Sequence, residues 1–228
     1  MTAAEDAPVL SIWPGGETKD AVTLVLWRHG QTDFNRERRF QGQSDVPLNE
    51  LGLRQAAQAA RYLAALQPSA IFSSDLSRAS VTAEALARLT GLPVQLDKDL
   101  RERSGGCWEG LTETEIAERY PAERANWSPP DGEQSAIVAE RVSSALVRIA
   151  DGLEGGSIAV VVSHGAALGL ALARLLGLPE QPSERLLGPF GNCRWSVLGR
   201  RRGRWRVLEH NVGILPEPVP DAGPGDED

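Results

Sequence analysis

Two apolar stretches, VTLVLW at 22–27 and SIAVVV at 157–162, decide how this chain folds. Continuous β-branched and apolar runs of this length are typical of strands that are buried on both faces of a parallel sheet. Helical patterns and shorter strand patterns alternate around them, as in chains built from βαβ connections. The sequence therefore predicts a three-layer α/β fold, in which a mostly parallel sheet carries helices on both faces.

The remaining elements follow from periodicity and from capping residues. Asn49 is a candidate N-cap, and Gly91 is a candidate helix end. The two final strands are expected to form an antiparallel hairpin. The predicted helices are 49–66, 77–90, 112–119, 134–150 and 166–176; the further strands are 70–72, 94–96, 194–198 and 204–209, with a turn at 199–203.

The negative charge of the chain lies at its two ends. The chain has 228 residues and a formal net charge of -7, but residues 1–20 carry -3 and residues 216–228 carry -5, which leaves about +1 for residues 21–215. Both ends are rich in Pro and Gly and poor in large apolar residues. We therefore predict one domain at 21–215, between a disordered N-terminal extension at 1–20 and a disordered acidic tail at 216–228.

Composition excludes several classes of protein. The two cysteines are too few for a disulfide scaffold and lack the spacing of metal ligands. The first residues, MTAAEDAP, are acidic where a secretory signal is basic. The most apolar stretch, 166–179, is short and is interrupted by Arg174, so no membrane-spanning helix is expected. The basic turn at 200–206 is interpreted as a solvated hairpin tip. We expect a cytoplasmic protein that binds neither membranes nor nucleic acid.

Two of the three histidines directly follow the two apolar strands, in RHG at 28–30 and SHG at 163–165. The carboxyl ends of parallel strands meet at one edge of a sheet, where ligands bind in open α/β folds. The two imidazoles are therefore expected at the same edge, although they are far apart in the chain. The glycine after each histidine allows backbone to approach a ligand closely.

Two other strand ends add charged side chains to this edge. Arg78 follows the strand 70–72 at the start of the helix 77–90, and Glu102 follows the strand 94–96. An arginine beside a helix N-terminus favours an anion, because the helix dipole and the free N–H groups add to its positive charge.

These residue types are the ones that phosphoryl transfer requires. Arg28 and Arg78 can bind phosphate oxygens and neutralise their charge. An unprotonated His29 can attack phosphorus to give a phosphohistidine, while His164 can donate to the phosphoryl oxygens. Glu102 can protonate the leaving alkoxide and then accept a proton from water. This scheme needs no metal and no cofactor.

Several ordered segments resemble the histidine phosphatase (phosphoglycerate mutase-like) superfamily. They are LWRHGQTDFN at 26–35, RFQG at 39–42, PLNELG at 47–52, SSDLSR at 73–78, LRE at 100–102 and SHG at 163–165. The resemblance implies that His29 is the phosphorylated nucleophile and that Glu102 is the proton donor. The residues that it implies for the phosphate pocket are Arg28, Arg78, His164, Asn35 and Gln41.

The segment ERSGGCWEGL at 102–111 favours a phosphatase over a mutase. Mutases of the superfamily carry a Tyr where this chain has Gly105, and the stretch from there to Gln134 contains no Lys. A mutase needs additional cationic side chains, because it must retain a second phosphate.

Cys107 has no visible base beside it and is interpreted as a small buried residue.

We therefore expect a metal-independent phosphomonoesterase that acts on a small phosphorylated metabolite, a sugar phosphate or a phosphoglycerate ester. The segment GNCRW at 191–195 and the earlier motifs are most similar to glucosyl-3-phosphoglycerate phosphatases, with α-ribazole phosphatases and sugar phosphatases close behind. A phosphoglycerate mutase and a catalytically silent phosphate-binding module remain as alternatives. Dimers are common in this superfamily, so a homodimer is a further expectation.

Overall fold

A computed structural model describes residues 21–178 and 187–214. The disordered ends predicted for 1–20 and 216–228 lie outside the described residues. The strands are β1 (Ala21–Arg28), β2 (Ala70–Ser73), β3 (Val94–Leu96), β4 (Ile158–Ser163), β5 (Trp195–Arg201) and β6 (Arg204–Val212). The helices are α1 (Asp33–Arg36), α2 (Glu50–Ala65), α3 (Ser77–Thr90), α4 (Glu113–Arg119), α5 (Pro121–Ala125), α6 (Ser135–Asp151) and α7 (Gly165–Leu175), with 3₁₀ turns at Lys98–Leu100 and Gly106–Trp108.

The six strands form one sheet in the order β3-β2-β4-β1-β5-β6. The first four are parallel, and β5 and β6 form the antiparallel hairpin at one side. The predicted α/β class and the mostly parallel sheet are therefore confirmed. Among the described parts of the chain, no helix has the length and apolar character needed to cross a membrane.

Alternate residues of β1 pack into separate cores on the two faces of the sheet. Leu24 and Leu26 belong to the core that includes residues of α6 and α7. Val25 and Trp27 belong to the core that includes residues of α2 and α3. This alternation follows from the period of two in a β-strand, and it explains why residues 24–27 are all apolar. The predicted three layers are thus confirmed.

Most helix bounds agree with the predictions to within one or two residues. The Asn49 side chain accepts a hydrogen bond from the N–H of Gly52 at 2.9 Å and caps α2. Gly91, with φ of 74°, ends α3 in the left-handed conformation. The short helices α1 and α5 were not predicted, because a helix of one turn has no periodic pattern to detect.

The predicted hairpin turn at 199–203 is wrong. Gly199 lies inside β5, where it pairs with Arg206 of β6. The turn consists of Arg202 and Gly203 alone, which have φ of 49° and 72°. Two central residues of positive φ match the right-handed twist of a tight hairpin.

Candidate active site

The two strand-end histidines lie side by side at the carboxyl edge of the sheet, as predicted. Arg28 of β1 is in register with Ser163 of β4, so the next residue of each strand is a histidine at the same level. The ring centroids of His29 and His164 are 5.1 Å apart. Both side chains are buried.

The His29 ring is oriented by one backbone contact. Its Nδ1 lies 2.7 Å from the carbonyl oxygen of Gly30. A carbonyl oxygen can only accept, so Nδ1 carries the proton and Nε2 keeps its lone pair. No hydrogen bond from the described residues reaches Nε2. Burial, together with the positive charges of Arg28 and Arg78, lowers the pKa of His29 well below its usual value. The ring is therefore neutral and nucleophilic at neutral pH.

The Gly30 carbonyl that orients this ring is itself held in place. The Gly30 N–H donates to the Thr82 hydroxyl at 3.1 Å, and the Asn192 side-chain amide lies 3.3 Å from the Gly30 carbonyl oxygen and 3.2 Å from that of His29. Only glycine fits here, because a Cβ on Gly30 would lie 2.5 Å from the carbonyl oxygen of Gly52. The segments that contain Gly30 and Gly52 are thus in close backbone contact.

Arg28 presents an unsatisfied donor at this edge. Its Nη1 donates to the carbonyl oxygen of Phe190. Its Nε is buried and has no hydrogen-bond partner within the described chain. Burial lowers the pKa of Arg28. A buried donor without a hydrogen-bond partner costs free energy unless an acceptor, such as a ligand oxygen, binds to it. The guanidinium packs against Gly165, where a Cβ would lie 3.3 Å from Nε.

Arg78 is fully buried and is held by three acceptors. Nη1 donates to the carbonyl oxygen of Ser44 at 2.8 Å, Nη2 to that of Gly42 at 2.7 Å, and Nε to Nδ1 of His164 at 3.2 Å. Burial lowers the pKa of Arg78 to about 10, so the side chain is still charged at neutral pH. A guanidinium has five N–H groups, and the two that remain can bind an anion.

Both ring nitrogens of His164 are engaged. Nδ1 accepts from Arg78, so Nε2 carries the proton and donates to the Ser74 hydroxyl at 2.8 Å. Burial and the charge of Arg78 lower the pKa of His164 well below its usual value. The ring therefore orients the Arg78 guanidinium. Donation by His164 to a phosphoryl oxygen stays a prediction, and it would require Nε2 to leave Ser74.

Glu102 lies at the N-terminus of α7. Its carboxylate accepts from the backbone N–H groups of Ala166 at 3.2 Å, Ala167 at 2.9 Å and Arg103 at 2.9 Å. The free N–H groups of a helix start and the helix dipole both attract a carboxylate. Because α7 begins directly after His164, this helix start holds Glu102 close to His164.

Asn35 and Gln41 belong to one hydrogen-bond network around Thr32. The Thr32 hydroxyl lies 2.9 Å from Oε1 of Gln41 and 3.2 Å from Oδ1 of Asn35, and Asn192 donates to the same Asn35 oxygen at 3.0 Å. The amide oxygens are thus used internally. The two NH₂ groups have no acceptor within the described residues and can donate to a phosphate.

The structure also corrects one sequence interpretation. Cys107 is exposed rather than buried, because the 3₁₀ turn that contains it directs Trp108 into the core instead. The Cys107 N–H donates to the Asp131 carboxylate at 2.8 Å.

Thr82 and Asn192 were missed as residues that hold the loop after β1 in place. Asn192 falls in a segment that the sequence did single out, but its contacts with the loop after β1 span more than 150 positions of the chain.

A neutral imidazole under the charges of two arginines, with a carboxyl group held at a nearby helix start, is the residue set of an α/β enzyme of phosphoryl chemistry. Residues 24–213 match the family described as the histidine phosphatase superfamily (branch 1). The chain belongs to this family, and within it the protein is a phosphatase, a phosphoric monoester hydrolase.

Curated relatives and solved structures resemble this chain over most of its length. The chain is 41% identical to a glucosyl-3-phosphoglycerate phosphatase of Mycolicibacterium vanbaalenii over 187 residues, which cover 77% of this chain and 83% of the relative. It is 41% identical over 191 residues to a probable phosphoglycerate mutase of Cronobacter sakazakii, covering 81% and 87% of the two chains. A mycobacterial glucosyl-3-phosphoglycerate phosphatase solved in complex with VO3 superimposes with a TM-score of 0.77 at 38% identity, covering 84% of this chain and 99% of that one.

Proposed function

We propose that the protein hydrolyses a small phosphomonoester in two steps, through a phosphohistidine on His29. The orientation of the His29 ring supports this proposal most directly. Its Nδ1 proton is committed to the Gly30 carbonyl, so the unprotonated Nε2 is the nitrogen that can form a bond. Positive charge from Arg28 and Arg78 keeps the ring neutral and attracts the anionic substrate.

In the first step, Nε2 of His29 attacks phosphorus and the ester P–O bond breaks. Glu102 enters this step protonated on Oε2, the oxygen that accepts a single hydrogen bond. The departing alkoxide takes this proton and leaves as an alcohol. The ring becomes positively charged as the N–P bond forms, and the Gly30 carbonyl stabilises that charge through Nδ1. The unsatisfied donors of Arg28 and Arg78 bind the non-bridging oxygens, where negative charge is spread in the transition state.

In the second step, water attacks phosphorus and the N–P bond breaks. Glu102, now ionised, accepts a proton from this water. Orthophosphate leaves, and His29 returns to its neutral form. The protonation states of His29 and Glu102 are the same at the end of the cycle as at the start, so the scheme needs no co-reactant other than water.

A series of leaving groups tests the role of Glu102. The Glu102→Gln variant should lose much more kcat/KM on alkyl phosphates than on aryl phosphates, because a weakly basic phenolate needs little protonation to depart. Glu113→Gln is a control, since Glu113 forms an exposed ion pair with Arg124. Equal losses on both kinds of substrate in the Glu102 variant would remove Glu102 from the acid role.

We further propose a phosphorylated glycerate ester as the substrate, with glucosyl-3-phosphoglycerate as the first candidate. The supporting observation is the similarity to the two glucosyl-3-phosphoglycerate phosphatases, one by sequence and one by structure. A phosphate-release screen should include this compound, sugar phosphates, 3-phosphoglycerate and nucleotides, with and without a chelator. The highest kcat/KM is expected for glucosyl-3-phosphoglycerate, without an effect of the chelator. A higher kcat/KM for another class would replace the candidate.

Phosphoglycerate mutase activity is the second candidate, because one relative carries that name. Two of the three arginines between Glu102 and Gln134 are engaged within the protein, since Arg103 donates to backbone carbonyl oxygens and Arg124 pairs with Glu113. They are thus not set aside for a second phosphate. Interconversion of 2- and 3-phosphoglycerate that depends on the bisphosphate, without release of orthophosphate, would support the mutase instead.

A further inference from the structure

The loop at 42–44 supplies both carbonyl oxygens that hold the outer nitrogens of Arg78. The backbone N–H groups of Gln43 and Ser44 donate to the carboxylate of Glu109. Oε1 accepts from the N–H of Gln43 at 2.9 Å, and Oε2 accepts from the N–H of Ser44 at 2.8 Å. The Ser44 hydroxyl donates to Oε2 as well. The loop is therefore held between the guanidinium on one side and a carboxylate on the other.

The backbone of this loop is shaped to admit the carboxylate. Gly42 has φ of 53°, a conformation that favours glycine. A Cβ at this position would lie 2.1 Å from Oε1 of Glu109. The close approach of Glu109 thus depends on a glycine at the residue whose carbonyl binds Arg78.

The same carboxylate reaches the segment after Glu102. Oε1 of Glu109 also accepts from the N–H of Gly105 at 2.9 Å. The Gln43 side chain donates to the Glu102 carbonyl oxygen at 3.1 Å, which joins the loop to that segment a second time. Glu109 therefore contacts both the loop that binds Arg78, the proposed phosphate ligand, and the segment that follows Glu102, the proposed acid. None of the described hydrogen bonds links Glu109 directly to the side chain of Arg78 or Glu102.

We infer that Glu109 is a positioning residue, which fixes the loop at 42–44 so that the two free N–H groups of Arg78 face the phosphoryl oxygens. This inference rests on the proposed role of Arg78 as a phosphate ligand. The charge of Glu109 also contributes to keeping the buried guanidinium protonated, since it opposes the lowering of the Arg78 pKa by burial. A carboxylate is required because four donors converge on its two oxygens, and a neutral amide would direct its own N–H groups at some of them.

The test compares Glu109→Gln with Glu115→Gln as a matched control. Glu115 also accepts from a backbone N–H and a hydroxyl, both of Thr112, and pairs with Arg39, but it caps α4 and has no link to Arg78. Glu109→Gln should lower kcat/KM between about 10- and 100-fold and weaken inhibition by vanadate by a similar factor, because a small displacement of a phosphate ligand has effects of this size. Glu115→Gln should change thermal stability without either effect.

A double-mutant cycle with Arg78→Ala separates positioning from general loss of stability. If Glu109 acts through Arg78, Glu109→Gln should have little further effect on kcat/KM and on vanadate inhibition in the Arg78→Ala background. Fully additive losses, or an unchanged vanadate inhibition constant in the single variant, would overturn the inference. Ser44→Ala, which removes one hydroxyl and keeps the carboxylate, provides a milder variant with the same expected direction. Wild-type activity in Arg78→Ala would instead contradict the proposed function itself.

Discussion

Acidification should destabilise this protein through the two buried histidines of its active site. Burial and the neighbouring arginines keep the pKa values of His29 and His164 well below the usual value of 6.5. In the unfolded chain both rings take up a proton near that value. The unfolded state therefore binds more protons than the folded state below about pH 6.5, and the free energy of unfolding must fall as the pH falls.

The size of the effect follows from this difference in bound protons. Each histidine that is neutral when folded and protonated when unfolded contributes a slope of about 1.4 kcal/mol per pH unit. The unfolded rings take up their protons mainly below about pH 6.5. For two rings that stay neutral in the folded state, the free energy of unfolding should therefore fall by at most about 2.7 kcal/mol between about pH 7.5 and about pH 5.5. That is a large part of the stability of an ordinary domain.

Urea denaturation at the two pH values measures this difference, with the variants His29→Asn and His164→Asn as comparisons. Because asparagine does not titrate, each variant should lose about half of the histidine contribution, roughly 1.4 kcal/mol, and the double variant should lose nearly all of it. The acidic residues are the same in every variant, so they cancel in the comparison. A pH dependence that is unchanged in both single variants would refute the claim that these rings are neutral in the folded protein.

Three further predictions concern packing, capping and thiol chemistry. Gly165→Ala should slightly raise the melting temperature, because alanine favours a helix. It should also lower kcat/KM several-fold, since the new Cβ would lie 3.3 Å from Nε of Arg28. Parallel losses of stability and activity would contradict this prediction. Asn49→Ala should cost about 1 kcal/mol in urea denaturation through loss of the α2 cap, and an unchanged midpoint would show that the cap contributes nothing. A thiol reagent should modify the exposed Cys107 rapidly in the native protein. Cys193 should react only on unfolding, because it is buried and burial raises its pKa to about 12. Rapid reaction of both thiols would contradict the packing around Cys193.

The sequence predicts those parts of the site that follow from strand geometry. The two histidines come together because β1 and β4 are apolar through most of their length, which marks them as central parallel strands, and because parallel strands end at one edge. Arg78 and Glu102 follow by the same rule from β2 and β3.

The parts that could not be predicted depend on contacts between loops. Glu109 meets the loop at 42–44 across 65 positions of the chain, and no periodic pattern encodes that contact. The exposure of Cys107 depends on which side of a 3₁₀ turn faces the core, and the turn is too short to show a pattern. The length of the β5–β6 hairpin depends on positive φ at Arg202, which the run of arginines in the sequence does not indicate.

The central claim is that the phosphoryl group of the substrate is transferred to His29. Trapping this phosphohistidine tests the claim most directly. The enzyme is mixed with a rapidly cleaved aryl phosphate, quenched with base and digested, and the peptides are analysed for phosphate that is stable to base and labile to acid. We expect this phosphate on the peptide that contains His29, formed as fast as the first turnover and absent from the His29→Asn variant. Turnover by wild-type enzyme without any such phosphopeptide, or full activity of His29→Asn, would contradict the account.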